Sequence, residues 1–235
     1  MRVAGRRLRW GRSLACAVPG CVLAIAAHAQ LSTTVGIESD YRYRGVSLSN
    51  SKPSPRVTLN YDAPDRWYAG ASATRAEIAA SGRSTQLVGY AGWVSSAVDG
   101  RSFEVGVDGS HFAGVSGYDF AEAYAGVLAS RWSARAHYAP NYYGRRIDVA
   151  YLELNVHAPL GEQVRVFGHV GALAPLRGGS GDAGKARGDI SVGAGYVVGG
   201  WDLHLAGVGA TQRGPYPAVY AGRRAALVAG ASFSF

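Results

Sequence analysis

Ala150-Tyr151-Leu152-Glu153-Leu154-Asn155-Val156-His157-Ala158 is the stretch that decides the fold. Ala150, Leu152, Leu154, Val156 and Ala158 share one parity, while Tyr151, Glu153, Asn155 and His157 share the other. A period of two marks an extended strand whose two faces meet different surroundings. The same split recurs in Phe103, Val105 and Val107 against Glu104, Gly106 and Asp108, and in Trp132, Ala134, Ala136 and Tyr138 against Ser133, Arg135 and His137. Val57, Leu59 and Tyr61 oppose Arg56, Thr58, Asn60 and Asp62 in the same way, as do Ile190, Val192, Ala194 and Tyr196 against Asp189, Ser191, Gly193 and Gly195. Read outward from these segments, the chain predicts twelve strands near 33–44, 54–63, 66–76, 84–95, 101–112, 119–130, 132–140, 147–158, 162–172, 188–198, 201–211 and 223–235.

The connections alternate short and long. Pro64-Asp65, Val98-Asp99-Gly100, Arg131, Pro159-Leu160-Gly161 and Gly199-Gly200 are tight turns. Residues 45–53, 173–187 and 212–222 make long loops. Transmembrane barrels have this asymmetry, with short turns on the periplasmic side and longer loops outside. An even strand number returns the chain to the side on which it started.

Alternation alone also fits a secreted β-sandwich or a lipocalin-like barrel, in which the greasy parity packs a core. Three features favour lipid. Many apolar positions are small, as in Ala69, Ala71 and Ala73 or Ala121, Ala123 and Ala125. They would fill a packed core poorly, whereas lipid requires no jigsaw fit. Aromatics (Tyr41, Tyr43, Tyr61, Trp67, Tyr138, Trp201 and Phe233) cluster at strand ends, as an interfacial girdle does. Leu227, Ala229, Ala231, Phe233 and Phe235 alternate with Val228, Gly230, Ser232 and Ser234, and the chain stops on an aromatic. Such a strand resembles the terminal strand by which outer membrane barrels are recognised for assembly, which makes Phe233 and Phe235 the expected assembly signal for the barrel assembly machinery. The fold class expected is all-β: a transmembrane antiparallel up-and-down β-barrel of about twelve strands.

Composition agrees. The 235 residues include 33 Gly and 14 Tyr, and only 17% are charged, which excludes a disordered chain and, without a glycine at every third place, a collagen. The formal charge is +8, but Arg2, Arg6, Arg7, Arg9 and Arg12 precede an uncharged, mostly apolar segment, residues 14–27, and the small-x-small motif Ala27-His28-Ala29. That is the pattern of a secretory signal peptide, residues 1–29, cleaved between Ala29 and Gln30. The barrel domain is then residues 30–235, and its charge falls to +3. The twin arginines fit an ordinary basic leader. Cys16 and Cys21 lie in the leader in poor lipobox contexts, so neither lipidation nor a disulfide framework is expected. No run reaches the length of a membrane helix.

Ser39-Asp40-Tyr41-Arg42-Tyr43-Arg44-Gly45-Val46-Ser47 with Lys52-Pro53 resembles the opening signature of the TorF family of proteobacterial porins. Trp67-Tyr68-Ala69-Gly70, Ala121-Glu122-Ala123-Tyr124-Ala125-Gly126 and Tyr138-Ala139-Pro140-Asn141-Tyr142-Tyr143 are similar as well. After Tyr-Ala-Gly the family pattern continues with Ser-Asn, where this chain has Ser72-Ala73-Thr74-Arg75. The resemblance implies an outer membrane barrel that conducts small solutes, with no catalytic residues and no defined substrate.

With the polar parity inward, the expected lumen residues are Glu38, Asp40, Arg42, Arg44, Arg56, Asp62, Arg75, Glu104, Asp108, Glu122, Arg135, Glu153, Arg165 and Asp202. A lumen of both signs either orients a polar solute or cross-links itself. About eight strands give a filled interior and about sixteen an aqueous channel, so twelve predict a narrow or partly plugged pore. His137, His157, His169 and His204 fall in the inward parity, away from a lipid-facing rim, and no nucleophile and base pairing is marked. Neither catalysis nor a cofactor is expected, and with His111 the histidines show no metal-ligand spacing. Gly178-Gly179-Ser180-Gly181 lacks the Lys-Ser/Thr of a phosphate loop. Arg145, Arg146, Arg177, Lys185, Arg187, Arg213, Arg223 and Arg224 are expected at the outer rim, able to pair with lipopolysaccharide phosphates.

The expectation is an outer membrane channel for passive diffusion of small polar solutes. Its alternative is a non-conducting barrel serving as surface receptor, adhesin or envelope structural protein. Outer membrane lipid, lipopolysaccharide and a further copy of the chain are the partners either would meet, and nucleic acid is not among them.

Overall fold

The structure, a computed structural model, describes residues 30–78, 82–211, 214–215 and 224–235. The leader expected at 1–29, its cysteines, Arg213, Arg223 and most of loop 212–222 lie outside the described residues. The barrel strands are β1 (Gln30–Glu38), β4 (Ser54–Asp62), β5 (Trp67–Glu77), β6 (Arg83–Val94), β7 (Arg101–Ala113) and β8 (Phe120–Ala129), followed by β9 (Trp132–Ala139), β10 (Asp148–Pro159), β11 (Val164–Arg177), β12 (Arg187–Val198), β13 (Trp201–Ala210) and β14 (Ala225–Ser234). These twelve close antiparallel into one barrel, each paired with its neighbours in sequence and β1 with β14. At the seam Thr33 and Phe235 exchange backbone hydrogen bonds, each 3.0 Å. Two short strands, β2 (Arg42–Tyr43) and β3 (Val46–Ser47), form a separate hairpin inside the first long connection.

The alternation sorts side chains as the sequence predicts. Leu31, Val35, Val57, Val105, Val107, Leu152, Val192 and Leu227 point outward and are exposed. In a soluble protein so much contiguous apolar surface would demand a partner. In a bilayer the acyl chains are that partner, and the closed hydrogen-bond ladder leaves no backbone edge in lipid. Trp67, Tyr138 and Trp201 lie exposed near strand ends, and Phe233 packs on Trp201 with ring centres 5.2 Å apart.

Inside, glycine makes room for aromatics lying flat on the wall. A β-carbon on Gly70 would stand 2.3 Å from the Tyr90 hydroxyl, and one on Gly106 would stand 2.4 Å from that of Tyr124. Each glycine is the direct cross-strand partner of its tyrosine. The high glycine content therefore belongs to the lumen face as much as to the turns.

Three expectations need correction. The first strand ends at Glu38 and does not run to residue 44, because residues 40–49 turn into the barrel. Tyr41 and Tyr43 consequently sit in the interior and form no part of the girdle. The long loop expected at 173–187 is shorter, since β11 continues to Arg177 with Leu173 fully buried in the lumen and Arg187 opens β12.

Candidate functional site: a plugged lumen

The sequence Tyr43-Arg44-Gly45-Val46 folds as a two-residue hairpin turn. Arg44 (φ 49°) and Gly45 (φ 75°) both adopt the left-handed region, the pattern of a type I′ turn. Glycine does so freely, but arginine does so at a cost of about 1–2 kcal/mol, which its contacts must offset. Arg44 donates from Nη1 to Glu122 Oε1 at 2.9 Å and from Nη2 to Oε2 at 2.6 Å, on β8. Its guanidinium also lies 4.0 Å from the centre of the Tyr151 ring on β10. Tyr43 adds a hydroxyl bond of 3.1 Å to Glu122 Oε2. On the other side of the turn, Gly45 presses against Asp189 and Ala210 of β12 and β13. The hairpin tip thus reaches from β8 to β12 and bridges the lumen.

The base of the hairpin is organised by Asp40. It accepts from Ser47 Oγ at 2.5 Å, Ser49 Oγ at 3.2 Å and Arg42 Nε at 2.7 Å. Tyr41 donates to Gln86 Oε1 at 2.7 Å, and Gln86 donates onward to Ser110, so the loop is tied to β6 and β7. Beside it, the turn between β9 and β10 contributes Tyr142 and Tyr143, fully buried like Phe112, with Phe120 buried among them; Phe120 lies 4.7 Å from Tyr143 and 4.9 Å from Tyr142. Together with Leu48, Ile78, Val149 and Leu173 they make an apolar core within the loop-side part of the barrel. Burial pushes the phenols of Tyr41, Tyr43 and Tyr143 above the ordinary tyrosine range.

Toward the short-turn side the lumen is polar and mostly cross-linked. Arg135 pairs with Glu104 and lies 3.6 Å from Glu153. Arg165 pairs with Asp202 at 2.8 Å. His169 sits 2.7 Å from Asn155 and 2.8 Å from Asp189. At the loop-side end, Arg56 donates to Thr74 at 2.9 Å and stacks on Tyr41 of the plug at 4.7 Å.

Most of the lumen residues expected from sequence therefore face the interior. Glu38, Arg56, Asp62, Glu104, Asp108, Glu122, Arg135, Glu153, Arg165 and Asp202 do so from the wall, in register with their polar neighbours. Asp40, Arg42 and Arg44 do so from the plug. Arg75 does not: it shares the outward parity of Ala71 and Ala73 and pairs with outward Thr85, near the loop end of β5. A polar residue that close to a strand end reaches the headgroup layer, so parity there did not require an apolar side chain. Among the rim cations, Arg177 pairs with Asp148 and Lys185 with Asp182, Arg145 lies 6.0 Å from the Tyr118 ring, and Arg224 is exposed. Arg187 is in the inward register and packs on Gly214.

The sequence reading missed Gly45, Gln86, Phe112, Phe120, Tyr142 and Tyr143 as parts of one site. The Arg-Gly turn between two Tyr/Val extended dipeptides was the available signal for an inserted hairpin.

A family described as "Bacterial protein of unknown function (Gcw_chp)" matches residues 24–228. The chain belongs to the Gcw_chp family. In the solved structures this Gcw_chp barrel is similar to the NanC porin, with a TM-score of 0.60 and 10% identity over 87% of this chain and 99% of that one. It is similar also to the KdgM porin, with a TM-score of 0.57 and 11% identity over 87% of this chain and 99% of that one. A KdgM porin in complex with disordered oligogalacturonate aligns with a TM-score of 0.54 at 10% identity, over 88% of this chain and 99% of that one. At such identities the shared property is the fold, that of an outer membrane porin barrel. No curated protein matches the sequence.

Proposed function

We propose that this protein is an outer membrane channel for passive diffusion of small polar solutes, held closed at rest by the hairpin of residues 39–53. The observation that carries the reading is the contrast between wall and plug. The wall is a continuous ladder, whereas the plug is a local loop whose tip is fixed to β8 by the bidentate ion pair of Arg44 with Glu122 and the Tyr43 hydroxyl bond to the same carboxylate. The porin fold of NanC and KdgM and the TorF-like opening sequence support the same reading.

The solute class follows from charge. The guanidiniums of Arg44, Arg135 and Arg165 are engaged by carboxylates, while Glu38 and Asp108 have no hydrogen bond or ion pair among the described residues. A lumen with carboxylates to spare favours neutral and cationic solutes over acidic ones. The oligogalacturonate held by a KdgM porin is thus not the solute proposed for this chain.

The runner-up, a non-conducting receptor, adhesin or structural barrel, is favoured by the density of cross-links in the lumen. Proteoliposome swelling separates the two. The channel reading expects swelling in small sugars and amino acids, faster when residues 40–51 are replaced by a short glycine-serine linker. No swelling from either folded form would establish the non-conducting barrel.

A further inference from the structure

Beneath the plug, His137 presents an unusual environment. Its side chain is 11% exposed, and both ring nitrogens are shielded from solvent without a hydrogen-bond partner. The flanking carboxylates lie at ion-pair but not hydrogen-bond distance: Glu122 Oε2 is 3.8 Å from Nδ1 and Glu153 Oε1 is 3.7 Å from Nε2. A buried polar group left in this state calls for an unseen ligand or water.

Asp108 is the second anomaly. On β7 it is the direct cross-strand partner of Glu122 on β8. Like charges so placed destabilise a sheet unless a cation lies between them. Arg44 supplies positive charge to Glu122 from the plug, but no cation bonds Asp108.

One ligand atom each from Asp108, Glu122 and His137 lies within 4.8 Å of the other two. We propose that these three residues bind a divalent transition-metal cation of the Zn²⁺ type, and that this cation and the Arg44 guanidinium compete for Glu122, so that metal binding unseats the plug. One imidazole and two carboxylates are a borderline-soft donor set that suits zinc better than calcium or magnesium, which prefer oxygen alone. Zinc bonds of about 2.1 Å set tetrahedral ligand atoms about 3.4 Å apart, so the three ligand atoms must draw closer together on binding. The fourth position is left for water or solute. Glu122 already gives both oxygens to Arg44, so a metal and the guanidinium compete for the same carboxylate charge, and each must weaken the other by the same factor. Sequence spacing could not announce this site, because its ligands come from three strands.

Calorimetric titration of the folded full-length barrel in detergent with Zn²⁺ alone tests the proposal without reference to conduction. One site is expected, weakened at least tenfold by His137→Gln and by Asp108→Asn, and tightened at least tenfold by Arg44→Ala, which removes the competitor. Heat-modifiable gel mobility verifies that each variant is folded, and Asp108→Glu serves as a conservative control that retains binding. Absence of binding in both the parent and Arg44→Ala overturns the site. Binding unaffected by His137→Gln overturns the ligand assignment, and equal affinity in parent and Arg44→Ala overturns the competition.

Discussion

Gly45 packs against Asp189 so closely that a β-carbon on the glycine would stand 2.8 Å from the Asp189 Cβ. The same atom would lie 2.6 Å from the Ala210 Cβ, and the backbone there is left-handed. Space and conformation both exclude a side chain. Gly45→Val is therefore expected to displace the hairpin while leaving the barrel ladder intact. Limited trypsin treatment with mass spectrometry checks this: Arg42 and Arg44 resist cleavage in the parent and become early sites in the variant. Resistance in both would place the hairpin elsewhere.

The plug tyrosines give a titration that reports its position. Burial favours the neutral phenol and raises the folded values of Tyr41, Tyr43 and Tyr143. Their contribution to stability is complete below the unfolded value near pH 10 and is lost as pH rises through the raised folded values. Absorbance at 295 nm should show a late-ionising group of tyrosines in the folded barrel, which shifts to ordinary behaviour in Gly45→Val. Uniform ionisation near pH 10 in the parent would contradict a buried plug.

Arg135 and Glu104 form a buried pair in the wall itself, each side chain no more than 2% exposed. Removing one partner leaves the other charge buried alone, at a cost of about 3–5 kcal/mol. Arg135→Met should lower the unfolding midpoint of the barrel in urea with lipid or detergent present. The double variant with Glu104→Leu should recover much of the loss. Additive losses would show that the two act independently.

Reversal potentials across a salt gradient should reveal cation preference, since Asp108 and Glu38 have no cation bonded to them. Asp108→Asn with Glu38→Gln should reduce that preference toward neutrality. Anion preference in the parent would shift the selectivity to the rim arginines.

The barrel wall was legible because its signal is local. Leu152, Leu154 and Val156 against Glu153 and Asn155 state the two-residue period of a strand with one greasy and one polar face, and the strand ends at Gly199-Gly200 and Pro64-Asp65 state their turns. The plug was not legible for the converse reason. Tyr41-Arg42-Tyr43 reads as a continuation of β1, because extended backbone looks the same on a wall and in an inserted hairpin. What folds it inward is nonlocal: Arg44 meets Glu122 78 positions later, and Tyr41 meets Gln86 45 positions later. Arg75 shows the limit of parity at a strand end, where a long charged side chain reaches the interface from the outward face.

Single-channel recording in planar bilayers bears most directly on the claim that the Arg44–Glu122 ion pair keeps the inserted hairpin seated in the lumen. Arg44→Ala should convert rare, small steps of the parent into frequent, several-fold larger ones, with both proteins equally heat-modifiable. Identical traces from the two, or silence from both, would contradict it.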